Sequence, residues 1–334
     1  MFKIAKESLD NRKELFINTA IKKKMSESII EKDFWVCFLL ELVFYQCEYA
    51  RYFSFKGGTS LSKGYHVIER FSEDIDLILD WRALSYQQNE PWIERSNSKQ
   101  DQFNKEMNRK TETFLKQDLL PVLEEIVGNY VKDTFEFYIN DNDLQTIRFI
   151  YPQIFKDQSI LQEIRLEIGA LAAWTPVTEK IITPYVAEEY PHIFEKKNSK
   201  IRMVEAKRTF WEKATILHRE GNRINGPIPE RYSRHYYDLY LLAKSNVKEE
   251  AFSDLQLLNK VIEFKMRFYR SNWAKYREAT EGKLKLLPQA KHQAELAKDY
   301  EKMQNMIFGE KVSFEKILLG LSSVEELVNA RFKP

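Results

Sequence analysis

One stretch, from Phe55 to Leu79, restricts what this chain can fold into more than any other. It opens with Phe55-Lys56-Gly57-Gly58-Thr59-Ser60-Leu61-Ser62-Lys63 and closes with Arg70-Phe71-Ser72-Glu73-Asp74-Ile75-Asp76-Leu77-Ile78-Leu79. The closing run alternates acid and apolar residue with the period of two that belongs to a β-strand. Asp74 and Asp76 then leave the strand on one face while Ile75 and Leu77 enter a core. Two acids that close repel each other unless a cation sits with them, and a divalent metal is the obvious candidate. At the other end, Gly57 and Gly58 permit close approach of a phosphate to the backbone. A helix starting at Thr59 would aim unpaired N–H groups and its positive dipole end at that anion. Gly-Gly-Thr-Ser by itself is ordinary turn and helix-start chemistry. Joined to an acidic strand through a short helix, it is the arrangement that holds a complex of metal and nucleotide.

The surrounding chain is enzyme-sized. Its 334 residues are 43% apolar and 31% charged, which argues against general disorder and allows one to three domains. A net charge of +2 gives no field strong enough to attract a polyanion, so nucleic-acid binding would need a local basic patch. Cys37 and Cys47 form no C-x-x-C pair and no cluster with His, which argues against a zinc site or a disulfide framework. The N-terminus has no signal-peptide h-region, and the longest apolar run, residues 34–47, is broken by Glu41 and too short to span a membrane. A cytoplasmic protein is expected.

Taken in order, residues 12–24 read as a solvated helix, and residues 29–44 as a buried one with Ile30, Phe34, Cys37, Leu40 and Phe44 at helical spacing. Tyr52, Phe53 and Phe55 form a short strand into the glycines. Thr59 or Ser60 caps a helix that carries Leu61 and Tyr65 and ends before Arg70. Polar residues beyond Asp80 mark a loop or lid, and a helix over 101–127 is interrupted or shifted by Pro121. Residues 135–139 and 144–150 flank Asn140-Asp141-Asn142-Asp143 as a hairpin, and 164–168 is a further strand with Arg165 and Glu167 on its polar face. Helices follow over 204–218 and 230–244, separated by a glycine- and proline-containing loop, and the remainder is helical in pattern.

These residues resemble the AbiEii/AbiGii-type toxin family of the nucleotidyltransferase superfamily, the group related to the MenT toxins. The Phe55–Leu61 and Arg70–Leu77 segments are similar to its first motif. Arg208-Thr209-Phe210-Trp211-Glu212-Lys213 and Arg231-Tyr232-Ser233-Arg234-His235-Tyr236-Tyr237-Asp238-Leu239 are similar to its later Lys and Asp motifs. The resemblance covers roughly residues 30–243. It implies an α+β fold, with a nucleotidyltransferase-like core of a small mixed sheet flanked by helices, and a helical C-terminal region closing the cleft. The expected division is a catalytic domain over 1–244 and a helical domain over 245–334. It also implies transfer of a nucleotide from a nucleoside triphosphate, with release of pyrophosphate, to an acceptor that in some members is the 3′ end of tRNA. An antitoxin partner is plausible on the same ground.

Nucleotidyl transfer needs metal ions, an anion clamp and positioning, and the chain supplies candidates for each. Asp74, Asp76 and Glu167 are expected to hold Mg²⁺ or Mn²⁺. Glu163 is the rival third carboxylate, because the same alternation puts it on that face. Lys56, Gly57, Gly58, Thr59 and Ser60 are expected at the nucleotide. Lys213, a helix-borne ammonium, is the leading triphosphate ligand, with a snorkelling surface lysine as the ordinary alternative. Asp238 orients Lys213, meets the base or ribose, or makes a plain i,i+4 pair with Arg234. Arg70 and Lys56 are phosphate contacts or solvated neighbours of the acids. His66, His218 and His235 have no metal-ligand spacing and are assigned to packing or capping. Tyr232, Tyr236, Tyr237 and Tyr240 are assigned to helix core.

Between Lys260 and Lys291, nine Lys/Arg stand against three acids, interleaved with Phe264, Phe268, Tyr269, Trp273 and Tyr276. That is what an RNA-binding face requires, and it is also what an amphipathic helix looks like. RNA is the acceptor expected first; a protein hydroxyl, a small molecule, or non-catalytic binding on the same scaffold are the alternatives.

Overall fold

The computed structural model describes residues 1–72, 74–157, 160–173 and 175–332; Glu73 of the acidic stretch lies outside them. In chain order the elements begin with α1 (Phe2–Ala5), α2 (Leu9–Lys23), α3 (Glu27–Tyr45), β1 (Phe53–Lys56), α4 (Gly57–Lys63) and β2 (Asp74–Leu79). They continue with α5 (Asn97–Phe114), α6 (Leu120–Gly128), β3 (Glu136–Asn140), β4 (Asp143–Ile150), β5 (Ile164–Gly169), β6 (Val177–Ile182), α7 (Tyr185–Glu189) and β7 (Ser199–Val204). The chain closes with α8 (Ala206–Gly221), α9 (Ser233–Lys244), α10 (Val247–Ser253), α11 (Leu255–Phe268), α12 (Ala290–Met303) and α13 (Phe314–Arg331). The fold is mixed α+β, with one seven-stranded mixed sheet ordered β3-β4-β5-β2-β1-β7-β6.

Packing divides the chain into two compact units. The first is Met1–Gly64 with Ser72–Met203, and the second is Tyr65–Phe71 with Val204–Pro334. The expected boundary at 244/245 falls inside the second unit, because α8 and α9 pack with α10, α11, α12 and α13.

In the first unit, α3 is the centre. Ser26 caps it by accepting from the Ile29 amide, and its side chains from Ile30 through Val43 are buried almost without interruption. A helix buried all round must have neighbours on every side. Trp35 meets Phe149 of β4 and Phe34 meets Phe16 of α2. Buried charges on α3 are all engaged. Glu31 accepts from the Ile154 and Phe155 amides, Lys32 donates to the Leu161 carbonyl, and Glu41 pairs with Lys196. A π-helical turn, Leu115–Leu119, joins α5 to α6 just ahead of Pro121. The extra residue per turn accommodates a proline that can neither donate an amide nor clear the preceding carbonyl, so the helix continues with a shift.

In the second unit, Tyr236, Tyr237 and Tyr240 are buried in helix packing, as expected of α9. Residues 65–71 belong here through backbone pairing. The Phe71 amide donates to the Met306 carbonyl at 2.7 Å and the Phe308 amide to the Glu69 carbonyl at 3.0 Å. The segment after α11 departs from the helical expectation: residues 269–289 are short 3-10 turns and irregular chain.

Candidate active site

Strand register assembles the acidic face. β2 runs parallel to β5, pairing Asp76 with Glu167 and Asp74 with Arg165; β1 runs antiparallel to β2, pairing Lys56 with Asp76. Thr146 of β4 opposes Glu167 in turn, and Arg148 opposes Arg165. Register partners project from the same side of a sheet. One row therefore reads Lys56, Asp76, Glu167, Thr146, and the adjacent row reads Asp74, Arg165, Arg148, Tyr138. The opposite side carries Phe55, Ile75, Leu77, Leu166 and Ile168, all buried. The period-two alternation is thus realised as one apolar face on the core and one polar face carrying three of the expected site carboxylates.

Gly57 is explained by this face. Its φ of +80° is a conformation that a side chain disfavours, and a Cβ built there would lie 1.8 Å from Asp76 Oδ2 and 2.4 Å from its Cγ. The Asp76 carboxylate thus rests against the glycine backbone. The helix that follows corrects the expected cap: α4 starts at Gly57, two residues before Thr59, has Lys56 at the N-cap without a side-chain cap bond, and ends at Lys63, short of Tyr65. Thr59 Oγ1 instead donates to the Asp74 carbonyl at 2.6 Å and Ser60 Oγ to the Gly57 carbonyl at 2.8 Å, and both residues are buried. A hydroxyl that has already donated its hydrogen offers an anion only lone pairs. Thr59 and Ser60 therefore hold the turn against the acidic strand, and the backbone N–H groups are what the turn could offer a phosphate.

Sequence reasoning missed Lys63. It sits at the end of α4, buried, with Nζ 2.7 Å from Asp33 Oδ1 of α3 and over the Tyr185 ring at 3.7 Å, and Asp33 Oδ2 accepts from the Tyr185 amide at 2.7 Å. Burial opposes the ammonium, but Asp33 and its neighbours outweigh it and push the Lys63 pKa up. No local pattern announces a pair that joins separate helices.

The rival Glu163 is otherwise occupied. It takes the guanidiniums of Arg148 and Arg165 and accepts from the Tyr138 hydroxyl at 2.7 Å. Burial raises its pKa, but these partners outweigh it and hold it below the ordinary value. Glu167 is exposed. Among the described residues, no three His, Cys, Asp or Glu side chains already converge closely enough to form a complete metal cage. The three expected ligands on this face, Asp74, Asp76 and Glu167, are nonetheless all carboxylates. They suit Mg²⁺ or Mn²⁺, which take one or two carboxylates and complete their shells with water and substrate phosphates.

The second unit gathers the other expected residues. Asp238 of α9 is fully buried, receives Arg70 through a two-pronged pair at 2.7 and 2.8 Å, and lies 2.8 Å from Lys213 Nζ of α8. Burial pushes the Asp238 carboxyl up, but the two cations outweigh it and hold it well below the usual carboxylate range. Burial, with Arg70 close by, lowers the Lys213 pKa against the pull of Asp238. Lys213 is therefore not a snorkelling surface lysine, Arg70 is not a solvated neighbour of the acids, and Asp238 makes no plain pair with Arg234. His218 is a buried packing residue with both ring nitrogens engaged. Of the basic-aromatic stretch, Phe264, Phe268 and Tyr276 are core, whereas Tyr269 and Trp273 are exposed.

A mixed sheet with an acid pair on one polar face, a glycine turn pressed against the second acid and a third carboxylate across the strand is the arrangement expected of a nucleotidyltransferase. The family described as "Nucleotidyl transferase AbiEii toxin, Type IV TA system" matches residues 39–327, and the chain belongs to it. Among solved structures it is similar to MenT4, a nucleotidyltransferase toxin from Mycobacterium tuberculosis, with which it shares its fold. The two are 15% identical, with a TM-score of 0.51, and the match covers 96% of this chain and 99% of that one. No curated protein matches the sequence. No helix among the described residues is long and apolar enough to cross a membrane.

Proposed function

We propose that this nucleotidyltransferase moves a nucleotide from a nucleoside triphosphate to a hydroxyl of an RNA, in a reaction that requires Mg²⁺ or Mn²⁺. The observation that carries the reading is the register of β1, β2 and β5, which sets Lys56, Asp76 and Glu167 in one row with Asp74 beside them. Asp74, Asp76 and Glu167 would hold the metal, which when bound neutralises phosphate charge and orients the triphosphate.

In the transfer, the acceptor oxygen bonds to the α-phosphorus. The bond from that phosphorus to the bridging oxygen breaks, and pyrophosphate leaves with the electron pair. Glu167, exposed on the polar face, takes the proton of the acceptor hydroxyl. The Gly57 and Gly58 amides receive phosphate oxygens, and Lys56 neutralises charge beside Asp76. Lys213 meets the β- and γ-phosphates, and Asp238 keeps its ammonium and the Arg70 guanidinium in place. Only three residues of chain lie between Arg70 and Asp74.

The acceptor reading rests on the surplus of Lys and Arg over acids between residues 260 and 291, and on Tyr269 and Trp273 standing exposed within it. The 3′ end of a tRNA is the first acceptor to try, in the cytoplasm, where both substrates are. The family's toxin–antitoxin description makes an antitoxin the expected protein partner.

The test is incubation with each of the four α-labelled nucleoside triphosphates, Mg²⁺, and total cellular RNA or protein. Label in RNA is expected. Asp74→Ala should reduce it by on the order of a hundred- to a thousand-fold, the scale of losing one charge-stabilising group in an active site. Label in protein would move the acceptor to a protein hydroxyl, and no labelled product with any acceptor would overturn the reading.

A further inference from the structure

Trp273 is an exposed indole on a turn that the second unit ties down by its backbone. The residue is 41% exposed and sits on a 3-10 turn, Asn272–Ala274, immediately after α11 and its tail. Buried side chains at the end of α8 pin that turn from below. Asn222 Nδ2 donates to the Ala274 carbonyl at 3.4 Å and to the His218 carbonyl at 3.0 Å. His218 Nδ1 accepts from the Lys285 amide at 3.0 Å, so Nε2 carries the hydrogen and donates to the Lys275 carbonyl, also at 3.0 Å. Lys275 adopts a left-handed φ of 51° to complete the turn, a conformation a non-glycine residue rarely takes without reason.

Two guanidiniums address the same ring. Arg219 lies 5.2 Å and Arg223 4.9 Å from its centroid, the first from the last turn of α8 and the second just beyond it. Both are tied to Glu220, which is buried and also accepts from the Tyr232 hydroxyl. One carboxylate against two guanidiniums leaves this cluster cationic. Both arginines issue from one short stretch of chain, and with both in place Trp273 is still 41% exposed. Tyr269, four residues earlier, is a second exposed ring at 50%, with Lys265 Nζ 5.2 Å from its centroid. Four residues of chain span at most about 14 Å, so the two rings are within a few nucleotides of each other.

A large apolar ring partly exposed to water is costly to leave bare, and the two guanidiniums against it restrict its orientation, which lowers the ordering penalty of binding. Cations beside an exposed aromatic are what an unpaired nucleotide requires, with the ring for the base and the charge for its phosphate. We propose that Trp273, clasped by Arg219 and Arg223, is a stacking platform for an unpaired base of the RNA acceptor, with Tyr269 as a second ring along the strand. This rests on the RNA reading above and gives it a surface.

The experiment measures affinity of the full chain for a labelled single-stranded oligoadenylate and for a fully paired RNA hairpin, without nucleoside triphosphate, at several salt concentrations. Trp273→Ala should weaken oligoadenylate binding by about ten-fold or more and the hairpin far less, while Trp273→Phe, which keeps a stacking ring, stays within about threefold of the wild type. Replacing Arg223 with Gln should reduce the salt slope by about one. A cooperative melt and unchanged nucleoside triphosphate affinity report that the variants are folded; Trp273→Ala should melt close to the wild type, whereas the Arg223 variant, which takes a partner from buried Glu220, should melt lower and still be folded at the assay temperature. If the wild type binds oligoadenylate and Trp273→Ala binds it equally, the platform is overturned and the RNA reading stands. If the wild type binds neither RNA and labels protein instead, both fall.

Discussion

The acidic face of the sheet and the buried triad of Arg70, Asp238 and Lys213 are both clusters of charge, but they are built in opposite ways. On the sheet, the acids line up by strand register and remain accessible, with Glu167 exposed and Asp74 and Asp76 half-buried. In the triad, two cations and a carboxylate are taken out of water and hydrogen-bonded to one another. An ion network of that kind is poor evidence of stabilisation, since desolvation cancels most of the attraction. What it does achieve is to fix the direction of two cationic heads. The difference teaches that charged side chains are prepared in two ways, by exposure where a ligand or ion can enter from solvent and by burial where a cationic head is held in one direction.

The contrast is sharpest in variants that exchange stability for activity. Asp238→Ala leaves two cations buried beside an empty position and should destabilise the chain by about 3–5 kcal/mol in a denaturant titration, because losing one partner of a buried pair strands the other. Asp74→Ala should leave the same titration almost unmoved while transfer collapses. If Asp238→Ala melted like the wild type, the triad would not be an obligatory unit.

Gly57→Ala lies between these extremes. The left-handed conformation alone costs about 1–2 kcal/mol for a side-chain-bearing residue. The new Cβ must also displace the Asp76 carboxylate. Transfer is expected to fall about as far as in an Asp76→Asn variant, with only a modest drop in melting temperature. Activity within a few-fold of wild type would show that Asp76 need not rest on Gly57.

Acid separates the two regions differently. The folded-state pKa of Asp238 is depressed below the ordinary 3.8, so its stabilising contribution is complete above that value and is lost as pH falls through the lower, folded value. Asp238→Asn should flatten the acid limb of a stability–pH curve, and an unchanged limb would remove Asp238 from it. At the other end of the scale, nucleoside triphosphate affinity should weaken as pH rises through the Lys213 pKa, which lies below 10.5. Lys213→Arg should remove that weakening because a guanidinium stays charged. The smallest effect expected is that of Glu163→Gln: it loosens Arg148 and Arg165 and should cost about 1–3 kcal/mol of stability while transfer stays within a few-fold of wild type. A catalytic collapse in that variant would return Glu163 to the metal.

The residues that could be read from the sequence are those whose partners are set by period or by neighbour. Alternation placed Asp74 and Asp76 on one face and Glu167 on the polar side of β5, and turn chemistry placed the β3–β4 hairpin. Arg70 was legible only as a charge near the acids, because its partner Asp238 is 168 residues away and no local pattern records it. Lys63 and Asp33 escaped for the same reason. β7 carried a usable alternation, Ser199, Ile201 and Met203 inward, which the helix pattern just after it overshadowed. β6 has only Ile182 fully buried and gives almost no signal. The α4 start was misplaced because hydroxyls next to glycines read as caps, whereas here they face back to the Asp74 and Gly57 carbonyls.

The seven residues from Tyr65 to Phe71 belong to the second unit although first-unit chain flanks them on both sides. The chain therefore passes from one unit to the other three times, at 64/65, 71/72 and 203/204, and no single cut yields two whole parts. A fragment beginning at Val204 would carry Asp238 and Lys213 without Arg70, and would lose the strip that pairs with residues 306–308. One ending at Met203 would keep Arg70 with nothing to receive it. In evolutionary terms the C-terminal helices are not a cassette: a recombination point at residue 204 can transplant them only into a recipient that already carries a matching strip between its glycine turn and its acidic strand.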